Sequence, residues 1–381
     1  MIFLDHAATT PVRREALEAM WPYLSGAFGN PSSSHGLGDE ASRALAAARA
    51  GVAAVVGCRP GDVVFTSGGT EADNLAVKGL ALANPRGRHV VVSPIEHEAV
   101  LESTAHLARV HGFEVTEVEV DSGGIVRPEA LARAIRPDTT LVSVQLANNE
   151  IGTVQPVAEL AAIAHASGAL MHTDAVQAAG WLPLSIDALG VDALSLAGHK
   201  VGAPKGTGAL IVRGRLPLEP VLHGGGQERG RRSGTENVAG AVAFATALRL
   251  AEHERADAAT RAAALGARLT QLVTSGVPGA VLTGDPVDRL PGTVSFVFPG
   301  TSGEAVLLEL ERDGVVCSSG SACAAGSDEP SHVLTAIGIP AELAQTAVRF
   351  TLGAENTADE IDEAGASVAR AVSAVRGIVA T

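Results

Sequence analysis

The chain has 381 residues, 46% hydrophobic and 18% charged, which fits a globular protein too long for one ordinary core, so two domains are expected. Its net charge of −14 argues against an electrostatic nucleic-acid partner, although "QERGRRSGTE" at 227–236 is a local basic cluster. No apolar run reaches membrane-spanning length, the N-terminus lacks the basic and apolar regions of a signal peptide, and three cysteines make no disulfide framework, so a reducing cytoplasm is the expected location, with no membrane partner.

In chain order, "DVVFTSGGTEADNLAVKGLAL" reads as strand, turn and helix. "HVVVSPIEHEAVLESTAHLARVHG" repeats that order, and "TLVSVQLANNEIG" and "ALMHTDAVQAAG" continue it, followed by "DALSLAGHK" and "GTGALIVR". Strands this apolar are buried on both faces, as in a sheet with helices on each side, so an α/β doubly wound pattern is expected. A long helical stretch, about 236–275, leads toward a second domain, with a soft boundary near 255. Strands are expected at "GTVSFVFPG", "GVVCSS" and "AVRFTLG", and a closing helix at "NTADEIDEAGASVARAVSAV", where Thr357 and Glu360 have capping-box spacing. The looser alternation here predicts an α+β C-terminal domain.

Several motifs are absent: the P-loop, the G-x-G-x-x-G of a dinucleotide fold, and H-E-x-x-H or C-x-x-C for zinc. "HGGG" at 223–226 matches an esterase oxyanion loop, but no G-x-S-x-G accompanies it. Polar groups instead gather at five predicted strand ends: Gly68–Thr70, Glu96 with His97, Asn148–Glu150, Asp174 with Gln177, and His199 with Lys200. Ligands in open α/β sheets bind beyond such ends. Each alone also reads as a cap, a turn or, for the lysine, a surface residue, whereas five together favour a ligand site.

The chemistry offered there is specific. The Gly68–Thr70 turn opens a helix and suits a phosphate. Asp174 can pair with a protonated heterocycle, with Gln177 presenting an amide nearby, and Lys200, more than Lys205, is placed to form a Schiff base. An amine, an acid and an anion site are what pyridoxal phosphate needs. Cys323, in "VVCSSGSACAAGSDEPSHVL", has no bulky neighbours in sequence, unlike a buried structural thiol. Cys317 and Cys58 read as packing residues, and His35, His172 and His223 are given no chemistry.

With these residues in place, the chain resembles the cysteine desulfurases of the IscS/NifS type, pyridoxal-phosphate enzymes with the aspartate aminotransferase-like fold (fold type I). The likeness runs through "FLDHAATTP", "TSGGTEADNLAVKG", "EHEAVL", "NNEIGTVQP", "DAVQAAG", "GHK", "GGGQERGRRSGT", "SSGSAC" and "VRFTLG" in the family's order. It implies a large domain, 16–255, with a mixed, mostly parallel sheet. It also implies an N-terminal arm, 1–15, packing with a smaller α+β domain, 256–381, that carries the catalytic cysteine loop.

The resemblance further implies that Lys200 holds the cofactor and shuttles protons at the substrate Cα, and that His97 stacks on the ring and acts in acid–base steps. Asp174 would pair with the ring N–H and Gln177 with the phenolic oxygen. Gly69, Thr70 and His199 would bind the phosphate, with Thr235 joining from the other subunit of a homodimer. Asn149 and Arg349 would hold the substrate carboxylate, Asn149 also lining the cofactor site. Cys323 would take sulfur from L-cysteine as a persulfide, leaving L-alanine, for scaffold or other acceptor proteins in iron–sulfur cluster assembly and tRNA thiolation. No resident metal site is implied, Cys323 being at most a transient iron–sulfur ligand. The length of the loop through "AAGSDEPSHVL" resembles the group that hands its persulfide directly to acceptors. One position departs: Ala197 stands where the family often has a phosphate-binding Ser, so that contact is expected either to be missing or to be replaced by Ser195 or backbone. A selenocysteine lyase and a non-catalytic sulfur-carrier partner are the alternative readings.

Overall fold

The computed structural model describes residues 1–84, 86–319 and 329–379. The Val-, Ile- and Leu-rich runs become strands that are short and bounded by turns: β1 (Ile2–Phe3), β2 (Val63–Thr66), β3 (His89–Val92), β4 (Glu114–Glu117), β5 (Thr139–Ser143), β6 (Leu170–Asp174), β7 (Ala193–Ala197), β8 (Gly208–Val212), β9 (Val281–Leu282), β10 (Thr293–Val297), β11 (Val315–Val316) and β12 (Ala347–Thr351). Seven of them form one sheet in the order β2-β8-β7-β6-β5-β3-β4. β8 runs antiparallel to both neighbours, and the other adjacent pairs are parallel. The carboxyl ends of β2, β3, β5, β6 and β7 therefore share one edge, as the five polar strand ends require. β3, β5, β7 and β8 are buried along their whole length, which is why they carry almost no polar alternation.

A second sheet, β12-β10-β9, is antiparallel, in keeping with the α+β expectation. Phe296, Phe298, Phe350, Ile361 and Val372 pack its core, together with Ile2 and Leu4 from the N-terminal arm. β1 pairs in parallel with β11, Ile2 opposite Val315. The long helix, expected over about 236–275, spans Val238–Gly276 and serves both cores: Phe244 and Leu248 pack under the large sheet, Leu265 and Leu269 under the small one. The closing helix, Ala358–Val379, starts with the anticipated capping box: Thr357 N–H donates to Glu360 Oε2 at 2.9 Å and Glu360 N–H to Thr357 Oγ1 at 3.3 Å. Among the described residues no helix is long and apolar enough to cross a membrane.

Candidate active site

The edge where five strands end opens onto a cavity of about 670 Å³. Gly69 and Thr70 start the helix Gly69–Ala83 there. Gly69 is pinned for a steric reason: a Cβ on it would lie 2.9 Å from Val176 Cγ2, so a side chain would push this helix start away from the end of β6. The turn is fixed by the Ser67 N–H donating to Glu71 at 2.8 Å, and by Arg232 Nε, which donates to the same carboxylate at 2.8 Å.

Asp174 ends β6, buried, with its Oδ1 accepting from the Val176 N–H at 2.8 Å. Burial pushes its carboxyl up, while His97, that N–H and Lys200 pull it back toward the anion. His97 caps the helix Glu98–His111, its Nδ1 accepting from the Ala99 N–H at 3.0 Å, so a neutral ring carries its proton on Nε2. Lys200 lies on the turn after β7, and its amine donates to the Ala7 carbonyl and, at 2.9 Å, to that of Ala8. Gln177 Nε2 donates to the Ala7 carbonyl at 3.0 Å. Next to the lysine, His199 stands 3.2 Å from Thr9 Oγ1. Burial, helped by Lys200 and Lys205, drives its ring down to about 4, so it is neutral at neutral pH.

Arg349 reaches the cavity from β12 of the second sheet. Its guanidinium is 2% exposed, donating from Nη1 to the Asn149 carbonyl at 2.8 Å and from Nη2 to Asp5 at 2.7 Å. Its backbone N–H donates to Ser318 at 2.6 Å. On the far side of the 320–328 segment, Ser331 Oγ donates to Glu150 at 2.6 Å, and His332 Nε2 meets the Glu96 carbonyl at 3.0 Å. Glu329 to His332 line the cavity. Cys323 itself lies outside the described residues.

The cavity thus collects Lys200, His97, Asp174, Gln177, Gly69, Thr70, His199, Asn149 and Arg349. It does not include Thr235 of the same chain, which lines a separate cavity of about 260 Å³ with Arg232 and Asn237. The loop before Thr235 is held by a buried pair, Arg49 with Glu228, at 2.6 and 2.7 Å. Glu228 and Arg229 take left-handed backbone angles, φ 48° and 60°, which cost non-glycine residues roughly 1–2 kcal/mol each. Unpairing a buried ion costs about 3–5 kcal/mol, enough to hold that strain. The neighbouring arginines of the basic cluster are engaged with the protein: Arg229 and Arg231 donate to the Gly61 carbonyl, and Arg232 pairs with Glu71.

Ser195 does not replace the phosphate contact expected at position 197. It shares a face of β7 with Ala197 but sits two residues deeper, about 6.5 Å along the strand, fully buried against His172 at 2.9 Å. Cys317 packs against the second core, and burial pushes its thiol up. Cys58 packs against the first core, its thiol pushed to about 11. His35 caps the helix Gly36–Val56. Asp5, Asp73 and the Ala7 and Ala8 carbonyls border the site without having been singled out. Asp5 lies within the "FLDHAATTP" stretch, where it reads as a carboxylate directly after an apolar strand.

The donor set fits pyridoxal phosphate. Lys200 offers an amine to its aldehyde, and buried Asp174 offers a carboxylate to its ring nitrogen. Thr70 and a neutral His199 flank a helix N-terminus suited to its phosphate.

Comparison with known proteins agrees with this geometry. The "Aminotransferase class-V" family profile matches residues 2–363. A cysteine desulfurase IscS from Dictyoglomus turgidum is 45% identical over 362 residues, 95% of this chain and 92% of that protein. The solved structure of a NifS-like protein superposes with a TM-score of 0.91 at 38% identity, covering 98% of this chain and 99% of that one. The structure described as SspA in complex with cysteine superposes with a TM-score of 0.83 at 35% identity, over 94% of this chain and 100% of that one. With a cavity that offers an amine, a buried carboxylate and a phosphate-binding turn, the chain belongs to the class V aminotransferase family and, within it, to the pyridoxal-phosphate-dependent cysteine desulfurases.

Proposed function

We propose that this enzyme removes sulfur from L-cysteine, releases L-alanine, and takes the sulfur onto Cys323 as a persulfide. The observation that carries this reading is the convergence of Lys200, Asp174 and Arg349 in one cavity whose rim includes the described flank of the Cys323 segment. When bound, pyridoxal phosphate supplies an electrophilic carbon for amines and a ring that accepts electron density from the substrate Cα.

The chain's own residues do the rest. Lys200 holds the cofactor, then moves a proton at the substrate Cα. Asp174 keeps its charge against the ring N–H, Gln177 donates to the phenolic oxygen, and His97 stacks on the ring and serves acid–base steps. Gly69, Thr70 and His199 bind the phosphate, and Thr235 of a second copy completes that site in a homodimer. Arg349 and Asn149 orient the substrate carboxylate. The Cys323 thiolate attacks the substrate sulfur: an S–S bond forms, the C–S bond breaks, and the substrate β-carbon takes a proton to become the methyl of alanine. The thiol is oxidised to the persulfide as the β-carbon is reduced, so no outside oxidant is needed.

The same reading includes the working units 1–15, 16–255 and 256–381, a cytoplasmic location, and acceptor proteins for the persulfide, with Cys323 meeting iron only while docked on a scaffold. The continuity of the helix Val238–Gly276 through position 255 supports a firm connection between the two larger units.

The deciding assay follows L-cysteine with a reductant present. Alanine and sulfide are expected in equal amounts, and sulfide accompanied by pyruvate instead of alanine would mean β-elimination and would sink the reading. Arg349→Lys tests the carboxylate site. A lysine cannot make a planar two-point contact with a carboxylate, so KM for L-cysteine is expected to rise about tenfold or more with a smaller change in kcat. Steady-state kinetics with an unchanged KM would remove Arg349 from that role.

A further inference from the structure

Beneath Asp174 lies a buried polar row that the proposed chemistry leaves unused. In β6, His172 and Asp174 point to the same face, two residues apart. In register, Ser143 lies opposite His172 and Ser195 opposite Asp174. The His172 Nδ1 is 2.9 Å from Ser143 Oγ, and its Nε2 is 2.9 Å from Ser195 Oγ and 3.8 Å from Asp73 Oδ1. Asp73, on the helix Gly69–Ala83, is 1% exposed and also lines the cavity. Its Oδ1 has no hydrogen-bond partner among the described residues.

Two buried carboxyls, Asp73 and Asp174, therefore face one small region. Two like charges there repel, so the pair favours a shared proton. The surroundings decide which oxygen keeps it. Asp174 accepts the Val176 N–H and faces His97 and Lys200, all of which favour its anion. Asp73 meets Ser195 as a donor and faces Asp174 as a like charge. His172 cannot help as a cation, since burial drives its ring down to about 3. Glu96 is itself held toward its acid form by burial.

We propose that Asp73 and Asp174 hold one proton between them, carried by Asp73, and that Asp73 is a positioning residue that leaves a single negative charge, on Asp174, for the cofactor's ring nitrogen. The inference rests on the cofactor reading above for its consequence, but not for the location of the proton. Ser195, at the end of the Ser143–His172–Ser195 row, is the donor that meets Asp73. The result is one carboxylate matched to one ring N–H, where two carboxylates would overcharge the site.

Two measurements test it. Infrared difference spectra of the cofactor-free protein at neutral pH, wild type against Asp73→Asn, are expected to lose a carboxylic-acid carbonyl band. Loss of a carboxylate band instead would overturn the proposal. In Asp174→Asn, with the like charge gone, that acid band is expected to disappear at a lower pH than in wild type, and an unchanged midpoint would count against the shared proton. In the loaded enzyme, the pH midpoint of the bound cofactor's visible absorption is expected to move by less than about 0.3 unit in Asp73→Asn, because asparagine copies a neutral acid, whereas loss of a true anion would move it by about one unit or more. If the wild type binds no pyridoxal phosphate, the cofactor reading fails while the infrared result still locates the proton.

Discussion

Lys200→Ala is expected to lower L-cysteine turnover by at least ~10⁴-fold, because a single amine both anchors the cofactor and moves the Cα proton. The structure narrows the choice of lysine. Lys205, five residues on, is exposed and does not line the cavity, whereas Lys200 sits at the end of β7, its amine held by two carbonyls of the N-terminal arm. The variant should still hold pyridoxal phosphate through Asp174, His199 and the Gly69–Thr70 turn, but borohydride should no longer fix it to the chain. Wild-type turnover in the variant, or borohydride fixation at another lysine, would strip Lys200 of both roles.

Cys323→Ala is expected to stop alanine and sulfide release together, by at least ~10³-fold, because no other thiol is suited to attack sulfur. Burial pushes the Cys58 thiol to about 11 and Cys317 upward as well, so neither offers a thiolate at neutral pH. Both are packed against cores, away from the cavity lining. The measurement is the yield of both products, wild type beside variant. If both persist in the variant, the sulfur leaves without a protein thiol, and a lyase of the kind that acts on selenocysteine becomes the better reading.

The large sheet and its rim were legible because the signal is local. An apolar run that ends in Asp174 or in Gly-His199-Lys200 announces both a buried strand and a polar end, and parallel order then sets those ends side by side. Arg349 came from the family pattern, and its setting was not visible. Nothing near position 349 in sequence says that its counter-ion is Asp5, 344 residues away. Asp73 was hidden for a different reason: an acid in the first turns of a helix reads as a dipole or capping residue, and only the packing of that helix on the sheet brings it to 3.8 Å from the His172 ring. Ser195 was misplaced because alternation tells which face a residue takes but not how deep along the strand it lies.

The N-terminal arm has a consequence for how the enzyme is made. The Ala7 N–H donates to Thr351 Oγ1 at 2.8 Å, Ile2 pairs with Val315, and Asp5 pairs with Arg349. Residues 2–7 thus find their partners at positions 315–351. Until Arg349 and Thr351 are in place, Asp5 and the Ala7 N–H lack their partners, and the arm is held only by its other contacts, such as Ile2 with Val315 and the carbonyls with Lys200. The large sheet can form first, whereas closure of the site waits on contacts of very large sequence separation and is slow for that reason. Cofactor capture before those contacts form is then disfavoured, and holoenzyme becomes a product of the closed site.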